Sequence, residues 1–127
     1  MSEPIKILLA EDQEEHARLL KAVLTRAQYQ VHHVKNGVDA YEKIKSGEHF
    51  DLLLTDILMP GMTGFELLLR LKQENLTLPT IVLTAKQSDE DVLRGLNAGA
   101  LDYITKPFSP SVIIAKVKIT LQKLRAA

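Results

Sequence analysis

The chain has no cysteine, no excess of charge of either sign and no long apolar run. Each absence closes off a class of function. Without cysteine there are no disulfides, no thiol nucleophile and no cysteine-based zinc site. Sixteen basic residues against sixteen acidic ones give zero formal charge and a pI near 6.9. That balance argues against nucleic-acid binding driven by bulk charge. No apolar stretch approaches the roughly 20 residues needed to cross a bilayer. The start, Met1-Ser2-Glu3-Pro4, lacks the apolar core of a signal peptide. A cytoplasmic domain with no membrane contact is the expectation.

What is present is ordinary for a globule. Of the 127 residues, 46% are hydrophobic and 25% charged, so disorder is not expected. The length suits one domain spanning residues 1–127, large enough to bury roughly two-thirds of its unfolded surface.

Two kinds of segment alternate along it. Ile5–Ala10, the run around Leu52-Leu53-Leu54, and Thr80–Thr84 are short and apolar at nearly every position. Such runs suit strands covered on both faces, as in a parallel sheet. Val31–Val34 and Ala100–Ile104 are weaker strand candidates. Between them, apolar residues recur at helical spacing: Leu20, Val23, Leu24 and Ala27; Leu67, Leu68 and Leu71; Val92, Leu93 and Leu96; Ile113, Val117, Leu121 and Leu124. Val38–Ile44 is a shorter helix candidate. Thr63 with Glu66 reads as a capping box, and Ser88 can cap the helix that follows it. Pro110 suits a first helical position, and Ser46-Gly47 and Gly99 suit helix ends. The order βαβαβαβαβα predicts an α/β fold, a doubly wound parallel sheet with helices on both faces. Ligand sites in such folds lie at the carboxyl ends of the strands.

Those ends carry chemistry. Strand one runs into Glu11-Asp12, strand three into Asp56, strand four into Thr84, and strand five into Thr105-Lys106-Pro107. Carboxylates gathered closely repel one another unless a cation neutralises them or their pKa values rise. An oxygen-only donor set suits Mg²⁺. Acids, a divalent ion, a lysine and a hydroxyl are what a transferring phosphoryl group needs. An aspartate can itself be the nucleophile. Each residue also has a plainer reading. Asp12 can cap the first helix, Glu11 can be a solvated strand end, Asp56 a loop-entry acid, Thr84 a β-favouring residue and Lys106 a surface lysine. The functional reading gains its weight from four strand ends delivering complementary groups to one place.

The stretches Ile7–Asp12, Leu54–Gly64, Thr84-Ala85 and Gly99–Phe108 resemble, in order, the receiver domain of two-component response regulators. The resemblance covers essentially the whole chain. It implies a flavodoxin-like (βα)5 sandwich with strand order 2-1-3-4-5. It implies that Asp56 accepts a phosphoryl group from a phosphohistidine on a sensor histidine kinase or histidine phosphotransfer protein. It makes Asp12, Asp56 and the backbone carbonyl of Leu58 ligands of Mg²⁺, with Mn²⁺ able to substitute, and Glu11 a ligand through water. Thr84 and Lys106 become phosphoryl-binding groups, and the Lys106–Pro107 bond becomes cis. Tyr103 takes the place of an aromatic switch that works with Thr84; a half-buried surface tyrosine is the plainer reading. The switched face is formed by the fourth helix, fifth strand and fifth helix, for a homodimer or an output partner.

Glu11 stands where the family often has aspartate, and both occur there. Leu58 and Lys86 occupy positions that tune hydrolysis of the aspartyl-phosphate, and Leu58 has no polar group to orient a water. Slow self-dephosphorylation is therefore expected, unless Lys86 or a phosphatase assists. No output domain is recognisable in the chain. Lys106–Pro110 is similar to receivers attached to cyclic-dinucleotide enzymes or embedded in hybrid kinases. On the last helix, Val112 and Ile119 fall off the core stripe and suggest a docking face, or merely scattered surface apolars. A magnesium-dependent phosphohydrolase is an alternative, but the second acid it usually places two residues beyond the nucleophile is Leu58 here. A degenerate receiver and a flavin-binding domain are weaker alternatives. His16, His32, His33 and His49 belong to no nucleophilic motif.

Overall fold

Strand one shows how the sheet is built. Ile7 and Leu9 face one side, Leu8 and Ala10 the other, and all four are fully buried. A strand apolar on both sides needs helices on both sides, and the computed structural model places them there. It describes residues 4–85 and 89–126, the side chains of residues 89, 91, 92, 125 and 126 excepted. The elements are β1 (Lys6–Ala10), α1 (Glu14–Arg26), β2 (Gln30–Val34), α2 (Gly37–Lys45), β3 (Leu52–Asp56), α3 (Gly64–Gln73), β4 (Thr80–Thr84), α4 (Asp89–Asn97), β5 (Asp102–Thr105) and α5 (Pro110–Ala126). The five strands form one parallel sheet in the order β2-β1-β3-β4-β5. The expected fold class is therefore the observed one.

The core lies in two layers. Ile7, Leu9, Leu54, Ile81 and Leu83 pack against Leu20 and Leu24 of α1 and Ile113 and Val117 of α5. Leu8, Leu53 and Val82 pack against Ala40 and Tyr41 of α2, Leu67, Leu68 and Leu71 of α3 and Ala98 beyond α4. β1 sits inside the sheet with β2 on one side and β3 on the other. The chain reverses its direction of winding there, which opens a crevice at the carboxyl ends of β1 and β3.

Local signals hold in most places. Thr63 and Glu66 form the capping box, each side chain bonding the other's backbone N–H. Pro110 is the first residue of α5, and Gly47 and Gly99 take positive φ just beyond α2 and α4. One plainer reading and one expectation fail. The cap of α1 is Gln13, not Asp12, and its side chain makes no capping bond; Glu11 Oε2 accepts from the Gln13 N–H instead. Leu124 is 40% exposed rather than part of the core stripe, whose last buried member is Leu121. Lys86 and Ser88 lie outside the described residues.

Candidate functional site

Three acids meet at the crevice. Glu11 and Asp12 follow β1, and Asp56 ends β3 beside it. One oxygen from each lies within 4.8 Å of the others. Glu11 and Asp56 are buried, whereas Asp12 is exposed. The backbone makes this convergence unavoidable. Ala10 pairs with Thr55, so parallel register carries the residues just beyond them to the same edge.

Lys106 reaches the acids from the far side, just past β5. Its Nζ donates to Asp56 Oδ2 at 2.5 Å. It also lies 2.9 Å from Glu11 Oε1, an ion-pair distance but off the direction of a hydrogen bond, and that oxygen is buried without a hydrogen-bond partner. The Lys106 backbone is anchored by its N–H to the Thr84 carbonyl at 2.7 Å, and the Lys106–Pro107 bond is cis. Burial works against the ammonium, but Asp56 and Glu11 outweigh it and hold its pKa above that of ordinary lysine. Burial pushes Glu11 up to about 7; Lys106 opposes this, and the charge of Asp56 adds to it.

Thr84 ends β4 with its side chain buried. Tyr103 pairs with Val82, two residues earlier, so Val82, Thr84, Tyr103 and Thr105 share one face of the sheet. Tyr103 is half-buried against the second core layer. The Leu58 N–H donates to Asp56 Oδ1 at 3.3 Å, and the Leu58 side chain is 75% exposed.

Asp56, Leu58, Thr84 and Lys106 line a cleft of about 680 Å³. Its walls also include His16 from α1, Phe65 from α3 and Arg94 from α4, none of them singled out by sequence. His16 stacks edge-on against Phe108 at 5.5 Å, and the Arg94 guanidinium lies 4.6 Å over the Phe65 ring. Only the rotation of each helix about its axis brings these residues to the cleft, and no motif marks that rotation.

The donor set at the floor is all oxygen, and its buried Glu11 Oε1 has the Lys106 ammonium at ion-pair distance but makes no hydrogen bond. Such a set fits a hard divalent cation.

Fold and cleft together define a doubly wound α/β domain whose pocket is an acid cluster with one lysine. Residues 7–118 match the family model of the response regulator receiver domain, and the chain belongs to that family. It is 38% identical over 122 residues to the alkaline phosphatase synthesis transcriptional regulatory protein PhoP of Bacillus subtilis (strain 168), a match covering 96% of this chain and 50% of that protein. The putative response regulator of Chloroflexus aurantiacus J-10-fl superposes with a TM-score of 0.88 at 35% identity, covering 94% of this chain and 99% of that one. The signal receiver domain of a signal transduction histidine kinase from Syntrophus aciditrophicus gives 0.83 at 39%, covering 96% and 93%. The chain spans about half the length of the curated relatives it matches. It is thus a receiver domain of the two-component type, a signalling domain whose family implies a histidine kinase partner. No described helix is long and apolar enough to cross a membrane.

Proposed function

We propose that this domain is a phosphoacceptor in a two-component or phosphorelay system and that Asp56 receives the phosphoryl group. One observation carries the reading: a single buried lysine reaches both Asp56 and Glu11 within a three-acid cluster at the switch-point crevice. An Asp56 carboxylate oxygen attacks phosphorus in line. The N–P bond of a phosphohistidine breaks with its electron pair, and the donor leaves as neutral imidazole when its other ring nitrogen carries a proton. Lys106 passes from pairing the free carboxylate to pairing the phosphoryl oxygens, so its charge is neutralised in both states. Thr84 offers a hydroxyl to the same group. Glu11, Asp12, Asp56 and the Leu58 carbonyl are the groups that would hold Mg²⁺ or Mn²⁺. The ion supplies positive charge against both the acids and the incoming anion.

Thr84 and Tyr103 share a sheet face, which supports coupling between the site and the surface of α4, β5 and α5. Movement of the Thr84 hydroxyl toward phosphate frees space for the Tyr103 ring. Val112 and Ile119 stand exposed on α5, where a homodimer or an output partner docks. Leu58 lines the cleft without a polar group to aim a water, so the phosphorylated state is long-lived unless Lys86 or a phosphatase assists. A half-life of only seconds in the isolated domain would refute that part.

The primary test is incubation with acetyl phosphate and Mg²⁺, followed by intact mass. The wild type gains one phosphoryl group and Asp56→Asn does not. An equal gain in both removes Asp56 as acceptor. Turnover of a small phosphate ester without lasting label would favour the hydrolase reading.

A further inference from the structure

The cleft is larger than a phosphoryl group requires, and its far wall carries a cation that the phosphoacceptor chemistry leaves unused. We propose that Arg94 selects among small phosphoryl donors by pairing with an anionic leaving group at the mouth of the cleft. This rests on Asp56 being the acceptor.

The argument starts from depth. Asp56 and Lys106 form the floor, with side chains only 8% exposed, whereas Arg94 is an exposed residue lining the same cleft. In-line transfer puts the leaving group opposite the attacking oxygen, and so on the mouth side of phosphorus. Arg94 is not a freely sweeping side chain. Its guanidinium rests 4.6 Å over the Phe65 ring, and Phe65 is itself buried in the first turn of α3. A planar cation lying on an aromatic face keeps its N–H edge open for a carboxylate. Among the described residues no carboxylate lies within ion-pair distance of it. Glu66, the acid beside Phe65, has its pKa lowered chiefly by hydrogen bonding with Thr63, and Arg94 adds only a small part.

The chemical consequence depends on the donor. With an acyl phosphate, the bond from Asp56 oxygen to phosphorus forms as the phosphorus–acyl oxygen bond breaks. The electron pair stays on that oxygen, which departs as a carboxylate with no proton required. A guanidinium at the mouth stabilises the charge developing there. With phosphoramidate, the nitrogen is already protonated and leaves as neutral ammonia, so Arg94 has no leaving-group charge to meet.

The experiment measures second-order rate constants for phosphorylation of the whole chain by acetyl phosphate and by phosphoramidate, with saturating Mg²⁺. In Arg94→Gln the ratio of the two constants falls about tenfold, the size expected of one exposed charge-assisted hydrogen bond. Arg94→Lys restores part of the ratio, as a point charge without the planar fork. Equal slowing with both donors, or an unchanged ratio, overturns the proposal while leaving Asp56 as acceptor. Failure of both donors to label the wild type, or equal labelling of Asp56→Asn, overturns the acceptor assignment and this inference with it.

Discussion

Lys106 Nζ stands 2.5 Å from Asp56 Oδ2, fifty positions away in the chain, and both side chains are buried. The lysine is the common counter-ion of two acids, since Glu11 Oε1 lies 2.9 Å from the same nitrogen. Removing one partner of a buried pair leaves the other uncompensated, which typically costs more than the pair contributes net. Lys106→Met is therefore expected to lose on the order of 3–5 kcal/mol of stability in buffer free of divalent ions. Adding Asp56→Asn recovers much of that loss, because one of the stranded charges is gone. Urea unfolding of the four proteins in a double-mutant cycle checks this. Additive effects would mean that the two groups are not coupled.

Glu11 is fully buried and faces the charge of Asp56. Its ionised form is thus held at a cost that a bound cation relieves. Glu11→Gln is expected to raise the melting temperature by a few degrees in EDTA, the shift of roughly 1 kcal/mol in a domain of this size. The same variant binds Mg²⁺ more weakly, so its advantage shrinks or reverses as the ion is added. Thermal melts across a magnesium titration would show the two curves converging or crossing. Parallel curves would contradict the assignment of Glu11 to the ion site.

How the sequence announced the site explains which parts it announced. Asp56 ends a strand apolar at nearly every position, and such a run is readable without coordinates, whereas Lys106 follows the weaker pattern of β5. Parallel order then sends their ends to one edge. Thr84 is legible in the same way as a strand end, whereas Leu58 and Tyr103 are named by the resemblance alone. Helix rotation is harder to read. Arg94 and His16 reach the cleft from α4 and α1, and Leu124 leaves the core although its spacing fits the stripe. Periodicity fixes which residues share a helix face, not how far along the helix that face stays covered. The plainer reading of Asp12 as a helix cap fails because α1 begins one residue later, with Gln13 at the cap position and its own N–H held by the Glu11 carboxylate.

Gly64 begins α3 directly beneath the site. A Cβ added there would lie 2.3 Å from the Asp56 carbonyl oxygen and 3.0 Å from the Ile57 Cα, both backbone atoms that cannot swing aside. The Gly64 N–H also donates to the Ile57 carbonyl at 2.7 Å, so the two segments cannot simply separate. Gly64→Ala is expected to cost about 2 kcal/mol or more, within the range for overpacking. It also displaces the backbone that carries Asp56, so labelling by acetyl phosphate slows by more than the loss of folded protein accounts for. Urea unfolding and the phosphorylation rate, measured on one preparation, separate the two effects.

Val112 is 42% exposed and Ile119 50%, while Ile113 and Val117 of the same helix are fully buried. Both apolar groups thus lie off the core face. Replacing both with glutamate is expected to leave the unfolding free energy within about 1 kcal/mol, as for exposed positions generally. Self-association or partner capture by the phosphorylated form falls sharply. Sedimentation of the acetyl phosphate-treated variant beside the wild type tests the surface, and unchanged association would clear these two residues of a docking role.

On the opposite flank, Tyr41 of α2 donates to Glu74 Oε1 at 2.5 Å, and Arg70 Nε donates to Glu74 Oε2 at 3.1 Å. Tyr41 first and Arg70 second hold the Glu74 carboxyl below its ordinary value of 4.5. A folded-state pKa below the unfolded one means that the unfolded chain binds more protons through this window. The contribution is fully present above about pH 4.5 and is lost as pH falls through the lower folded-state value. Tyr41→Phe removes the larger cause, so its stability should decline less steeply with acid than that of the wild type, from a slightly lower level near neutrality. Urea midpoints taken at intervals between about pH 3 and pH 7 give both slopes. Identical acid slopes in the two proteins would show that the Tyr41 hydroxyl does not tie α2 to the end of α3 through this carboxylate.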